Sequence, residues 1–250
     1  MFIYNPHNER ILQERVSHAE ELLQQIPAKY CFITGSFLHK EKYEDIDLFV
    51  ISRTSKQLTI NNPKARITVL DFNDLYSLFY HSVSKSCIAK TFLPQRLLKV
   101  TLADYWQVVN EAIPTLFNEK DQFHKSVRFL ILYTEYFKTG EVLDSFQLAQ
   151  TISRFTGYQD VLAYVKQEIP GILNRKIKSS YAKRFFYTQA GHYKSLRDYA
   201  AQSFLYHLTH QIIAKHINNV MKMRESAAFS GRQKRKPRPK MGASFFVRNK

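Results

Sequence analysis

Gly35-Ser36-Phe37-Leu38-His39-Lys40-Glu41-Lys42-Tyr43-Glu44-Asp45-Ile46-Asp47-Leu48-Phe49-Val50-Ile51 is the stretch that decides how this chain is read. Ile46 to Ile51 is an aliphatic and aromatic run of strand length, so it is expected to form a buried β-strand. In an extended strand, residues two apart project on the same face. Asp45 and Asp47 therefore present two carboxylates side by side, while Ile46 turns to the core. Two such charges repel and raise one another's pKa unless a cation lies between them. Hard divalent ions such as Mg²⁺ take carboxylate oxygens together with substrate phosphates. Gly35 and Ser36, without bulk, let backbone N–H groups and a hydroxyl approach a phosphate chain closely.

Outward from this stretch, residues 6–26 carry apolar side chains near helical spacing and end at Pro27, predicting an amphipathic helix. Tyr30 to Ile33 predicts a short strand, Asn61-Asn62-Pro63 a turn, Arg66 to Leu70 a third strand and Asp71 to Tyr80 a helix. After Leu70 only short strand pieces near 87–100 are expected. From about residue 103 the apolar spacing becomes helical, over 103–117, 121–139, 144–155, 159–168 and 178–222. Breaks are expected at Pro114, Gly140, Gly157 and Pro170-Gly171. The expected organisation is an α/β domain over 1–100, a helical domain over 101–225, and a basic tail over 226–250 that is disordered when unbound.

The chain has 250 residues, 37 of them Lys or Arg against 21 Asp or Glu, a net charge of +16. Residues 221–250 contribute +9 of this and the rest of the chain +7. Such a field favours a polyanionic partner, nucleic acid before an acidic membrane surface. The tail run holds Arg232, Lys234, Arg235, Lys236, Arg238 and Lys240, suited to phosphate contact without sequence preference. Two cysteines, Cys31 and Cys87, make neither a disulfide framework nor a CxxC metal site, so a reducing, cytoplasmic setting is expected. Met1 to Arg10 lacks the pattern of a signal peptide, and the longest apolar stretch is too short to span a bilayer.

The pattern Gly35-Ser36…Asp45-Ile46-Asp47-Leu48 resembles the signature of the nucleotidyltransferase superfamily related to DNA polymerase beta, over roughly residues 10–80. The resemblance implies an α+β fold with a mixed sheet, flanking helices and a C-terminal helical domain. It also implies that Gly35 and Ser36 hold the phosphates of an NTP substrate, and that Asp45 and Asp47 ligate Mg²⁺ or Mn²⁺. The activity implied is transfer of a nucleotide to an acceptor, which the basic charge makes a nucleic acid, RNA before DNA. Members of the superfamily place a third carboxylate on a later strand, as general base and metal ligand. Here Thr68 falls at the natural position, and the nearest acid is Asp71, the candidate base. The loop before Asp45 is also short, and Glu44 stands where a small residue is usual.

Other readings stay open at this stage. A module that keeps the fold, binds nucleic acid and has weak or no catalysis fits the missing acid. Transfer to a protein or small-molecule hydroxyl is a third reading, and the basic tail argues against its small-molecule form. Asp71 also suits a helix N-cap. His207 and His210, three apart, could seat a metal but have no partner acid, so surface or core roles are favoured. Arg175, Lys176, Lys178, Lys183, Arg184, Lys194 and Arg197 alternate with Tyr181, Phe185, Phe186, Tyr187 and Tyr193. That set is either a stacking-capable basic face or an aromatic core stripe with solvated charge, with the functional surface slightly favoured.

Overall fold

The computed structural model of the chain describes residues 1–53, 58–176 and 180–233, apart from the side chains of 175–184 and 227–233. In chain order its first elements are β1 (Phe2–Tyr4), α1 (Glu9–Gln25), β2 (Tyr30–Thr34), β3 (Ile46–Ile51), β4 (Ala65–Leu70), α2 (Leu78–Lys85) and β5 (Cys87–Ala89). The helical half follows as α3 (Leu102–Asn118), α4 (Phe123–Ser126), α5 (Arg128–Thr139), α6 (Ser145–Ile152), α7 (Tyr158–Lys176), α8 (Ser180–His192) and α9 (Tyr199–Gln233). The fold is α+β: one mixed, open five-stranded sheet and a layer of helices packed beside it.

The sheet order is β1-β5-β2-β3-β4. β2 runs antiparallel to β3 with Thr34 opposite Asp47, and β3 runs parallel to β4 with Asp47 opposite Arg66. β3 is covered on both faces, which is why it reads as a nearly unbroken apolar run. Ile46, Leu48 and Val50 pack with Leu22, Leu23 and Ile26 of the α1 region, all nearly inaccessible to solvent. Phe49 and Ile51, on the other face, pack with Phe32, Leu70 and Tyr80. Truncating a fully buried Leu such as Leu48 to Ala would cost about 2–5 kcal/mol. α1 starts where the Asn8 side chain accepts from the Ile11 N–H, and it stops at Ile26.

The helical layer has its own core, centred on Trp106, Val109, Ile113, Leu130, Ile131, Val165 and Ile169. Leu78 of α2 enters this core, and a cluster of hydrogen bonds at the short segment 142–145 ties the layer to the sheet half. Ser82 Oγ donates to the Leu143 carbonyl at 2.6 Å, and Lys85 Nζ to that of Val142 at 2.6 Å. Thr34 Oγ1 meets Ser145 Oγ at 3.1 Å, and His7 Nε2 lies 2.7 Å from Asp144 Oδ2. Asp144 is buried and caps α6, its carboxylate accepting from Phe146 N and Gln147 N. This seam fixes the first turn of α6 at the end of β2, and the Phe79–Phe129 contact, 5.4 Å between ring centroids, holds the first turn of α5 against α2.

Several expected boundaries move. Pro114 and Pro170 lie inside α3 and α7 rather than ending them. Each removes one helical hydrogen bond, but buried neighbours on both sides, such as Ile113 and Leu116 around Pro114, hold the helix on the core. Gly140 does end α5, in the left-handed conformation at φ 84°. The helix expected over Asp71–Tyr80 starts later, at Leu78, where the Ser77 side chain accepts from Tyr80 N. Two strands escaped the sequence pattern or nearly so: β1, and the three-residue β5 at the heart of the sheet. α9 runs to Gln233, so the boundary expected at 226 falls inside a helix.

Candidate functional site

The site begins where β2 ends. Gly35 follows Thr34 with φ 85° and ψ −158°, a conformation that strains any residue with a side chain. A 3-10 turn, Ser36–Leu38, then carries the chain away from the sheet, with Leu38 N donating to Gly35 O at 3.1 Å. One step past Thr34, its ladder partner, the Asp47 side chain lies over the bare Cα of Gly35: a β-carbon there would meet Asp47 Oδ2 at 2.4 Å. The glycine is the vacancy into which the carboxylate fits.

Asp45 stands one residue before β3 and Asp47 one residue into it, with Ile46 between them fully buried on the opposite face. The same-face geometry expected from the spacing is therefore realised. Burial raises the Asp47 pKa above its ordinary value, the Asp45 charge raises it further, and Arg128 pulls it down. Arg128 opens α5, and Lys125 lies in α4 just before it. Asp45, Asp47, Ser36, Lys40, Lys125 and Arg128 line one cleft of about 430 Å³. Two carboxylates thus sit on the sheet side, while cations come from the loop after Ser36 and from the helical layer.

Asp47 also faces a second compartment. A chamber of about 270 Å³ shares Gly35, Asp47, Lys125, Arg128 and Ser145 with the cleft, but its other walls include Phe49, Phe79, Phe129 and Thr68. Thr68 pairs with Phe49 in the parallel ladder, so it projects on the same face as Asp47. It puts a hydroxyl, not a carboxylate, on that wall.

Asp71 is not brought to the pair. Because β4 runs parallel to β3, the chain moves away from Asp47 as it passes from Arg66 to Leu70, which stands opposite Ile51. Asp71 follows at about 16 Å along the strand direction, at the usual rise per residue. There it organises a turn: Asn73 N donates to Asp71 Oδ1 at 3.0 Å, and Asp71 N donates to Asp74 Oδ2 at 2.7 Å. The expectation that Asp71 serves as base is corrected on this geometry, and its helix-capping role falls to Ser77. Among the described residues no group of three His, Cys, Asp or Glu side chains converges as a metal site. That holds for His207 and His210 too, which line a groove with Lys166 and Phe204.

Sequence reasoning missed the helical side of the cleft. Lys125 and Arg128 sit in an apolar helical pattern about eighty residues beyond the motif, and nothing local marks them. His39 was missed as well. It is buried, and neither ring nitrogen has a hydrogen-bond partner among the described residues. Burial pushes its pKa down to about 4, helped by His7 and opposed by Asp144.

The basic aromatic set divides. Phe186 is core, edge-on to Trp106, and Tyr193 is buried with its hydroxyl donating to Asn110 Oδ1 at 2.9 Å. Tyr187, Lys194 and Arg197 are exposed, while the side chains of Arg175, Lys176, Lys178, Tyr181, Lys183 and Arg184 lie outside the described residues. So does the tail set: the Arg232 side chain, Lys234, Arg235, Lys236, Arg238 and Lys240. No helix among the described residues is long and apolar enough to cross a membrane. The chain matches no family model, no curated protein and no solved structure.

Proposed function

We propose that the chain is a metal-dependent nucleotidyltransferase of the DNA polymerase beta type, moving a nucleotide from an NTP to an acceptor. The observation that carries this reading is the cleft in which Asp45 and Asp47 face Lys40, Lys125 and Arg128. A polyphosphate bridging a carboxylate-bound cation and a set of basic side chains satisfies both halves at once. The order of β2, β3 and β4, with the glycine turn after the first and the acid pair opening the second, also accords with the reading.

The residues fit a divalent cation with hard oxygen ligands. Asp47 is packed against Gly35 and held above its ordinary pKa by burial and by Asp45, an unfavourable arrangement that an added positive charge relieves. Asp45 and Asp47 would hold Mg²⁺ or Mn²⁺, which when bound neutralises phosphate charge and makes the α-phosphorus more open to attack. Lys125 and Arg128 would grip the outer phosphates, and the Gly35-Ser36 turn would let the phosphate chain lie close to backbone. We place the acceptor among nucleic acids, RNA before DNA, from the +16 charge. A cytoplasmic setting goes with that reading.

Thr68 favours a second reading, a fold retained for binding with transfer weakened or lost, because it holds a hydroxyl where a base would stand. Incubating the protein with each labelled NTP, Mg²⁺ or Mn²⁺, and total RNA separates the two. Labelled RNA supports transfer, and labelled protein moves the acceptor to a protein hydroxyl. Binding of NTP with no labelled product under either metal leaves the binding module.

A further inference from the structure

Asp47, Lys125 and Arg128 line both compartments, and the chamber adds aromatic walls from Phe49, Phe79 and Phe129. Arg128 and Phe129 are consecutive at the start of α5, and consecutive helical residues point roughly 100° apart. Arg128 bears on Asp47 electrostatically, while Phe129 adds an aromatic wall to the chamber. The Phe79 ring lies 5.7 Å from that of Phe49 and 5.4 Å from that of Phe129, so the three form a continuous surface. Phe129 remains 47% exposed, although the helical core lies next to it.

The hydroxyls around the chamber are mostly engaged elsewhere. Ser82 donates to the Leu143 carbonyl, Thr34 donates to that of Ser86 at 2.7 Å, and Ser145 meets Thr34. What they leave is a largely apolar, aromatic lining, with Asp47, Lys125 and Arg128 where the chamber meets the cleft and Thr68 at the open edge strand. A volume of about 270 Å³ is at the lower end for small-molecule sites, enough for one or two fused rings and too little for a run of polymer.

We propose that this chamber is a second subsite, which seats a planar ring carried by a ligand of the cleft. The ring is either the base of the NTP or the ring of a small acceptor whose hydroxyl is presented toward Asp47. The proposal rests on the reading of the cleft as an NTP site. Ring-on-ring contact with Phe79 and Phe129 supplies the affinity, and covering the exposed Phe129 face adds to it. Size limits what enters, so the subsite adds specificity to that affinity.

The test uses the full chain, calorimetry with ATP and with tripolyphosphate, and ligand-observed NMR with adenosine and benzyl alcohol as ring probes. Two variants alter the chamber: Phe129→Ala removes a half-exposed wall, and Thr68→Phe obstructs the chamber from the exposed edge strand without touching the core. Thermal melts establish that both are folded. If the base is the source, ATP binds roughly five- to tenfold tighter than tripolyphosphate, and both variants erase the difference. Adenosine then gives an NMR signal that both variants weaken. If an acceptor is the source, ATP and tripolyphosphate bind alike in every form. Benzyl alcohol then binds alongside saturating tripolyphosphate, and its signal falls in both variants. Ring probes that are silent, or indifferent to both substitutions, overturn the subsite. Failure of both ATP and tripolyphosphate to bind the unaltered chain overturns the NTP reading instead, and the ring probes still judge the chamber by themselves.

Discussion

A β-carbon placed on Gly35 would stand 2.4 Å from Oδ2 of Asp47, closer than such atoms can approach. The position of the carboxylate is thus set by a side chain that is missing at the end of the neighbouring strand. Gly35→Ala should cost about 1–3 kcal/mol, from the positive φ and the clash together. It should also reduce transfer at least tenfold by displacing Asp47. Combining it with Asp47→Ala separates the two costs, since the double variant keeps the backbone strain but loses the clash. Chemical denaturation of the four forms should give a cycle in which the double variant is more stable than the sum of singles implies. Strict additivity would show that the contact is unimportant.

The acid pair is expected to cost stability until a cation joins it. Asp45→Asn and Asp47→Asn should each abolish transfer while leaving the protein as stable as before, or slightly more so, at neutral pH. Mg²⁺ or Mn²⁺ should raise the melting temperature of the unaltered chain and not that of the double Asn variant, because the cation stabilises only the form that binds it. An equal rise in both would place cation binding elsewhere.

Asp71 should behave as a turn residue. Asp71→Asn keeps the acceptor for Asn73 N and should be neutral in stability and transfer alike. Asp71→Ala should cost about 1 kcal/mol with transfer kinetics unchanged. Thr68→Asp is the complementary change, and an increase in turnover there would show that the third acid position is open. A hundredfold loss of turnover in Asp71→Asn would contradict the register described above.

Arg128 and Lys125 should govern the affinity for the phosphate chain. Arg128→Ala should raise KM for NTP by roughly tenfold or more, since it removes a charged hydrogen-bonding group from the cleft. Arg128→Lys should recover part of that loss, because a point charge replaces a two-pronged donor. Steady-state kinetics at two salt concentrations measures both effects. Unchanged KM in Arg128→Ala would remove the helical layer from the binding site.

His39 predicts an acid limb in the stability profile. Its folded pKa is lowered to about 4, chiefly by burial, from an ordinary value of 6.5. The unfolded chain therefore takes up a proton in this window while the folded chain resists it. Stability contributed by neutral His39 is full above about pH 6.5 and is lost as pH falls toward 4. Urea unfolding at pH 7, 5.5 and 4.5 should show this decline, and His39→Phe should flatten it. An identical slope in the variant would assign the limb to other groups.

The front of the molecule was legible in the sequence because its signals are local. Ile46 to Ile51 announces a buried strand by composition, and the alternation of Asp45, Ile46 and Asp47 fixes which side chains share a face. Gly35 marked a close approach, although that the approach is to Asp47 itself emerges only from the antiparallel register. The failures have a common cause in long-range pairing. Three residues such as Cys87–Ala89 carry no periodicity, so their place between β1 and β2 is decided by neighbours far along the chain. Asp71 was misplaced because sequence does not state whether β4 runs with or against β3. Lys125 and Arg128 join the site through the packing of the helical layer, which leaves no trace in their own segment.

The strand order has a consequence for assembly. β1 pairs with β5 alone, joining Phe2 to Ala89, and β5 must itself lie against β2. β2 and β3 are close in sequence and can zip together early, and β4 can add to them by a short crossover. On loop length, the first of the five strands in the chain is expected to be the last laid down. It must wait for a closure across more than eighty residues, whose entropic toll is met only once the rest of the sheet stands ready. An extension fused directly before Met1 would burden that final docking step, slowing completion of the sheet while leaving the acid pair between β2 and β3 already in place.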